Sequence, residues 1–318
     1  MGKPVVLIAR RLLPAGRELL ERSSELREGG LDATAEELLE LAPGASAIVA
    51  DPTVAVDVAL LDAAGPGLRV VANFAVGYDN VDLDACRERG VAVTNTPDVL
   101  TNATAELALA LTLAAARGTT AAEADLRAGR WTGWDPGAYL GLELSGAVFA
   151  VVGLGRIGRR YADLVRPLAG ELLYVARSLK PEANEELGAS QVDLPEALAR
   201  ADVVSLHVPA NPETRHLIGA AELEAMRAHA ILINTARGSL IDPEALAGAL
   251  EAGSIGGAGL DVYEAEPEVP EALLRAPRLT LLPHIGSATY TARKAMARTA
   301  AENVLAVLVG SEPPNQVD

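Results

Sequence analysis

One cysteine in 318 residues, Cys86, leaves nothing for a disulfide framework or a multi-cysteine metal site, and it fits a reducing compartment. Aromatic residues are nearly as scarce, at 3%, so any core has to be built from Ala, Val, Leu and Ile. Positive charge is short as well: 27 Lys and Arg stand against 43 Asp and Glu, a net charge of −16. That balance argues against nucleic acid or an anionic membrane as a partner. Small acidic substrates stay open, because a few local cations outweigh a diffuse surface charge. No apolar run is long enough to span a membrane, and the most apolar internal stretch, Leu107 to Ala116, falls well short. The opening MGKPVVLIARR has too few apolar residues before its arginines for a secretory signal, and no Ser or Thr at position six for N-myristoylation. It reads as a first strand, and a cytoplasmic protein is expected. No G-x-S-x-G elbow and no G-x-x-x-x-G-K-[ST] loop occurs, which sets aside acyl and phosphoryl transfer. His207, His216 and His229 show no metal-ligand spacing, so no metal is expected.

What the chain does have is alternation. Half of its residues are apolar, enough for about two domains with cores of their own. Short aliphatic runs predict strands at 5–9, 46–50, 68–74, 91–95, 146–153, 172–176, 202–208, 230–236, 257–262 and 279–285. Helical patterns such as AEELLEL, DVALLDAA, AELEAMR and PEALAGALEAG lie between them. Strands apolar on both faces and separated by helices describe parallel sheets covered on each side, an α/β class with doubly wound sheets. A long Ala/Leu helix, with Thr101 or Asn102 as its N-cap, is apolar nearly all round and is expected to be buried between bodies. A last helix is expected from about Ala288 to Val309. The boundaries that follow are residues 1–100 plus 287–318 for a discontinuous first domain and 101–286 for a second.

Gly153, Gly155 and Gly158 have G-x-G-x-x-G spacing, follow an apolar strand and open an amphipathic helix. In that context the pattern predicts a dinucleotide loop, running through Leu154, Arg156 and Ile157, with a helix N-terminus for the phosphates. Where an NAD-binding chain usually carries an acid for the adenosine ribose, this one offers Ala176, Arg177, Ser178 and, further on, Lys180. Nothing there repels a 2′-phosphate, Arg177 can bind one through two N–H groups, and Ser178 can add a hydroxyl. NADP(H) is therefore expected over NAD(H), which one loop arginine still tolerates. Past the ends of three later strands come Arg237, then Glu264 and Glu266, then His284. An Arg can fix a carboxylate and polarise a neighbouring carbonyl, and a His paired with a Glu can donate a proton near neutral pH. Acid, anchor and dinucleotide together describe hydride transfer to a small 2-oxo acid.

GLGRIG, INTARGSLID, GAGLDVYEAEP and LPHIGSAT, in that order and spacing, resemble the D-isomer-specific 2-hydroxyacid dehydrogenases over essentially the whole chain. Within that family NTPDVLTNATAELALAL and WTGW look most like the glyoxylate/hydroxypyruvate reductases, a subgroup that commonly uses NADPH. The resemblance implies Arg237 for the substrate carboxylate and carbonyl, His284 as proton donor and Glu266 as its partner. It implies backbone amides at Val76 and Gly77 for the substrate carboxylate, and Thr235 and Asp261 on the nicotinamide side. Trp134 would reach into a neighbouring subunit's active site, with a plain dimer contact as the alternative. Tyr290 stands where animal members of the subgroup tend to have His. The implied fold is two Rossmann-like domains, a flavodoxin-like substrate domain and an NAD(P)-binding domain, closing on substrate and forming a homodimer through the long helix and the WTGW arm. Two alternatives remain on the sequence: an NAD-dependent dehydrogenase of another D-2-hydroxy acid, and a dinucleotide-sensing co-repressor-like scaffold.

Overall fold

The computed structural model describes residues 2–317. They divide into two compact units, Met1–Leu100 with Ser287–Asp318, and Thr101–Gly286.

The first unit runs β1 (Val5–Ile8), α1 (Pro14–Glu21), β2 (Glu25–Glu28), α2 (Ala35–Leu41), β3 (Ala45–Ala50), α3 (Val58–Ala64), β4 (Val70–Asn73), α4 (Leu83–Glu88) and β5 (Ala92–Thr94). Its five strands are all parallel in the order β2-β1-β3-β4-β5, so the chain winds first one way from β1 and then the other. Leu7, Ile48, Ala50, Val71 and Val93 pack on one face of the sheet among residues of α2, α3 and α4. The C-terminal helix, Tyr290–Leu308, packs with α1 and the sheet, and small residues let it come close: a Cβ on Gly16 would lie 2.1 Å from the Ala297 carbonyl oxygen. Asp57 and Asp82 accept from the third residue beyond them and start α3 and α4, while Thr34 and Glu37 close a reciprocal capping box on α2.

The second unit starts with α5 (Thr101–Arg117) and α6 (Thr119–Arg127), then β6 (Ala147–Val152), α7 (Arg156–Val165), β7 (Ala169–Val175), α8 (Pro181–Leu187), β8 (Ser190–Gln191) and α9 (Leu194–Arg200). It continues with β9 (Val203–Leu206), α10 (Ala220–Ala225), β10 (Ile231–Asn234), α11 (Pro243–Ala252), β11 (Gly257–Leu260), α12 (Glu271–Arg275) and β12 (Leu279–Leu281). The seven parallel strands stand in the order β12-β11-β10-β9-β6-β7-β8. Side chains alternate between the two covered faces. Phe149 and Val151 join one core with Leu172, Tyr174 and Ile233, while Ala150 and Val152 join the other with Leu173, Leu206 and Leu232. Winding reverses between β6 and β9, and ligands of such sheets sit at the carboxyl ends of the strands beside that reversal.

Three readings of the sequence need correction. β2 and β8 were not expected, because ELRE and SQ carry no apolar run; both are edge strands paired on one side only. The long helix begins at Thr101, so Thr101 and Asn102 are its first residues and not its cap. Within the single chain Ala105, Ala108, Leu111 and Thr112 are buried along one side of the helix and Leu113 is 45% exposed, which leaves the expected burial between bodies untested. The last helix is shorter than expected, because Thr289 caps it by accepting from the Ala292 amide. No helix among the described residues is long and apolar enough to cross a membrane.

Candidate active site

β6 ends at Val152 and the chain turns at Gly153, whose φ of +95° an L side chain would strain. A Cβ there would also lie 2.7 Å from the carbonyl group of His207, just past the end of β9. At Gly158 a Cβ would stand 2.0 Å from the Gly153 carbonyl oxygen, so helix α7 can pack on the turn only without one. Gly155 is different. A Cβ there would meet nothing within 4 Å, so the protein's own packing does not account for it. It caps a ten-residue helix with no side-chain cap and no acid in its first turn. Open space in front of uncapped N–H groups is what a pyrophosphate requires, so the loop fits a dinucleotide. Leu154 is buried, Ile157 half-buried and Arg156 exposed.

At the end of β7 the chain passes into Ala176, Arg177 and Ser178. Gln191 Nε2 donates to the Ala176 carbonyl oxygen at 2.7 Å, and the Lys180 amide donates to the Tyr174 hydroxyl at 3.0 Å, so both flanks of the loop are tied down. Arg177 and Ser178 between them are exposed. Neither makes a hydrogen bond or ion pair within the described residues, which leaves the guanidinium and hydroxyl available to a ligand.

Three residues stand past the ends of three neighbouring strands: Arg237 after β10, Glu266 after β11 and His284 after β12. His284 Nδ1 donates to Glu266 Oε2 at 2.6 Å, and the Tyr263 amide donates to the other carboxylate oxygen at 2.9 Å. The pair is half-buried, with side chains 31% and 21% exposed. Burial raises the Glu266 carboxyl. The bond from His284, the Tyr263 amide and the nearby charges of His284 and Arg237 outweigh it, and the net effect holds the carboxyl below its ordinary value of 4.5. A depressed carboxylate adds stability that is complete above 4.5 and lost as pH falls through the lower folded value. Glu266→Gln is therefore expected to lower Tm at pH 7, with the gap to the parent closing below about 4.5. A thermal denaturation series in pH checks this, and a gap that widens in acid would contradict it.

Glu264, the nearer acid in the sequence, is engaged elsewhere. It pairs with Arg215, and its second oxygen lies 3.2 Å from His216 Nε2.

The turn that carries His284 is shaped by Asp261, at the end of β11. Asp261 is fully buried; its two carboxylate oxygens accept from the amides of Ile285 and Gly286 at 2.7 Å each, and its carbonyl accepts from the His284 amide at 2.9 Å. Burial raises its carboxyl, against those amides and His284, which lower it. Those bonds hold His284 at a φ of +53°, rare for a residue with a Cβ. Thr235 is buried beside β10, and its hydroxyl has no hydrogen-bond partner among the described residues. A buried hydroxyl left open fits a polar edge of a bound group.

Asn234 is the residue the sequence did not reveal. Fully buried at the end of β10, it donates from Nδ2 to the Arg237 carbonyl at 2.8 Å and accepts from the Ala236 amide at 3.0 Å. It thereby sets the turn that presents Arg237. A buried Asn closing an otherwise aliphatic strand was the available signal, since such a group has to be satisfied.

Val76 and Gly77 belong to the other unit, in the turn that follows β4. Trp134 is 85% exposed on the stretch between α6 and β6, with Trp131, Tyr139 and Leu140 also exposed there. Tyr290, at the start of the C-terminal helix, is 99% exposed.

Residues 109–286 match the family model described as D-isomer specific 2-hydroxyacid dehydrogenase, NAD binding domain. A glyoxylate reductase of Thermococcus litoralis is 45% identical over 323 aligned positions, covering 99% of this chain and 97% of that protein. Among solved structures, a Thermus thermophilus protein superposes with a TM-score of 0.92 at 45% identity, covering 99% and 100% of the two chains. The NADPH-dependent glyoxylate/hydroxypyruvate reductase of Sinorhizobium meliloti, solved with NADP and malonate, gives 0.87 at 36% identity, covering 99% and 97%.

Proposed function

The chain belongs to the D-isomer-specific 2-hydroxyacid dehydrogenases, NAD(P)-dependent oxidoreductases, and within that family we propose that it is an NADPH-preferring reductase of small 2-oxo acids. Glyoxylate, reduced to glycolate, and hydroxypyruvate, reduced to D-glycerate, are the proposed substrates. The observation that carries this reading is the hydrogen-bonded His284–Glu266 pair with Arg237 on the neighbouring strand end. Full-length relatives named for glyoxylate reduction support the choice of acid.

The dinucleotide would be held by the Gly153–Gly158 turn and the first amides of α7, with Thr235 offering its open hydroxyl. Bound and reduced, the nicotinamide supplies a hydride to the substrate's C2. The protein's residues do the rest. Arg237 binds the carboxylate through its planar fork and draws electron density from the adjacent carbonyl. Nδ1 of His284 is taken up by Glu266, so Nε2 is the ring nitrogen left to give a proton to the C2 oxygen. Glu266 accepts from Nδ1 throughout and keeps the ring turned so that Nε2 faces outward from the pair. The Val76 and Gly77 amides are proposed for a substrate carboxylate on the strength of the resemblance. A homodimer with Trp134 on its arm is part of the proposal, since that surface is apolar and uncovered in the single chain.

The preference for NADPH rests on Arg177 and Ser178, which have no hydrogen-bond or ion-pair partner among the described residues and no acid in the loop beside them. Arg177→Ala is expected to raise KM for NADPH about tenfold or more, the loss of one charge-assisted contact, with NADH scarcely changed. Equal effects on the two cofactors would remove the phosphate reading. The test of the whole is loss of nicotinamide absorbance with glyoxylate and with hydroxypyruvate, run with NADPH and NADH in parallel. A kcat/KM about tenfold in favour of NADPH, near 1.4 kcal/mol, supports both parts. Turnover that favours NADH keeps the reductase and discards the role of Arg177. No turnover of either acid discards the substrates.

A further inference from the structure

The turn after β4 is held by three bonds that share one consequence. Thr96 donates its amide to the Ala75 carbonyl, Asn95 Nδ2 donates to the Val76 carbonyl and Asn73 Nδ2 donates to the Gly77 carbonyl, each at 2.8 Å. In a trans peptide the C=O and the following N–H point in opposite directions. Holding three successive carbonyls therefore turns the amides of Val76, Gly77 and Tyr78 away from the donors. None of those three amides donates to any group among the described residues.

The groups that do the holding are themselves fixed. Asn73 and Thr96 are fully buried. Asn73 and Asn80 exchange hydrogen bonds at 3.0 and 3.2 Å, and Asn80 Nδ2 also donates to the carbonyls of Asp51 and Val54. The Asn95 main chain is held between Asn315 and the side chain of Asn303, at 3.2 and 3.1 Å. Buried amides satisfied at this level hold one geometry, because any other leaves a polar group unmet. Successive amides presented on one side form a concavity for an anion, and three N–H groups suit a carboxylate.

We infer that Asn73 and Asn95 are positioning residues for the substrate carboxylate: by holding the Gly77 and Val76 carbonyls they present the Val76, Gly77 and Tyr78 amides as one anion site. The inference rests on the proposed oxo-acid reductase for the identity of the anion, but its geometry belongs to this unit alone. Neither asparagine touches substrate. Each acts through the turn.

Asn95→Asp and Asn73→Asp keep the side chain's shape and exchange the donor for an acceptor that repels the carbonyl it held. Oxalate, which cannot be reduced, is the probe, titrated calorimetrically into the NADPH-saturated protein. In either variant its Kd is expected to rise about tenfold or more, and KM for glyoxylate with it, while Kd for NADPH stays put. Asn73 is buried and its variant can lose the fold; half-buried Asn95 then carries the test. Unchanged oxalate binding and KM in folded Asn95→Asp overturns the inference and leaves the reductase standing. Equal weakening of oxalate and NADPH also overturns it, as general disruption. A parent that binds no oxalate overturns it too. A parent that reduces no 2-oxo acid, yet binds oxalate and loses it in Asn95→Asp, keeps the anion site and removes the reductase.

Discussion

Replacing His284 by Ala is expected to lower kcat by about 10²–10⁴, the usual contribution of a positioned proton donor, while Kd for NADPH stays unchanged. The argument is geometric. Glu266 and Asp261 fix the ring and the turn of His284 respectively, and neither bond involves the glycine turn. Removing the imidazole would take away the proton proposed for the C2 oxygen and leave the Gly153–Gly158 turn and α7 as they are. Glu266 loses its first partner but keeps the Tyr263 amide and the Arg237 charge, so the carboxylate stays accommodated. Stopped-flow hydroxypyruvate reduction alongside fluorescence titration of NADPH reads the two quantities apart. If cofactor binding fell with turnover, His284 would be holding the dinucleotide site and its role as proton donor would be wrong. Glu266→Gln should show a smaller loss of kcat, because the ring remains and only the carboxylate that orients it is replaced.

How much of this was legible in the chain depended on how deeply each segment is buried. Central strands such as VVAN and ILIN are covered on both faces, so their composition had to be aliphatic and the sequence showed it. Edge strands are under no such demand. ELRE is partly or fully exposed at every position, and its strand state comes from pairing with β1, which composition does not record. The strand-end positions of Arg237, Glu266 and His284 were legible because Arg, Glu and His are unusual just past aliphatic strands. The choice between Glu264 and Glu266 was not, by residue type alone. It turns on the path of the chain after β11, which brings Glu264 to Arg215 and His216, and Glu266 to His284. The asparagines were passed over for the opposite reason. Asn73, Asn95 and Asn234 each fell inside an expected strand and drew no separate reading, yet each acts by giving its amide group to a particular carbonyl. Such a role depends on where that carbonyl points, and only coordinates hold that information.

Arg237→Ala is expected to reduce kcat/KM for glyoxylate by about 10³ or more, shared between a higher KM and a lower kcat. Two losses combine. The substrate carboxylate loses a bidentate, charge-assisted contact, and the carbonyl loses the electrophile that stabilises charge growing on its oxygen, a contribution of about 10²–10³ by itself. A third, smaller effect follows from the geometry: the Arg237 charge helps keep Glu266 below its ordinary value, so its loss weakens the carboxylate that supports His284. The turn should survive the substitution, since Asn234 holds the main-chain carbonyl of residue 237 and the Ala236 amide whatever side chain follows. Arg237→Lys should recover only a little of the loss. A lysine returns the charge but not the planar fork, and carboxylate alignment is what carries the reacting carbon into place. Steady-state kinetics on both variants with saturating NADPH decide the matter. Should KM stay at the parent's value while kcat alone falls, Arg237 would polarise the carbonyl without binding the carboxylate, and the Val76–Gly77 turn would hold the acid by itself. Full recovery by Lys would mean that charge alone is needed, and that the fork geometry assigned to Arg237 is wrong.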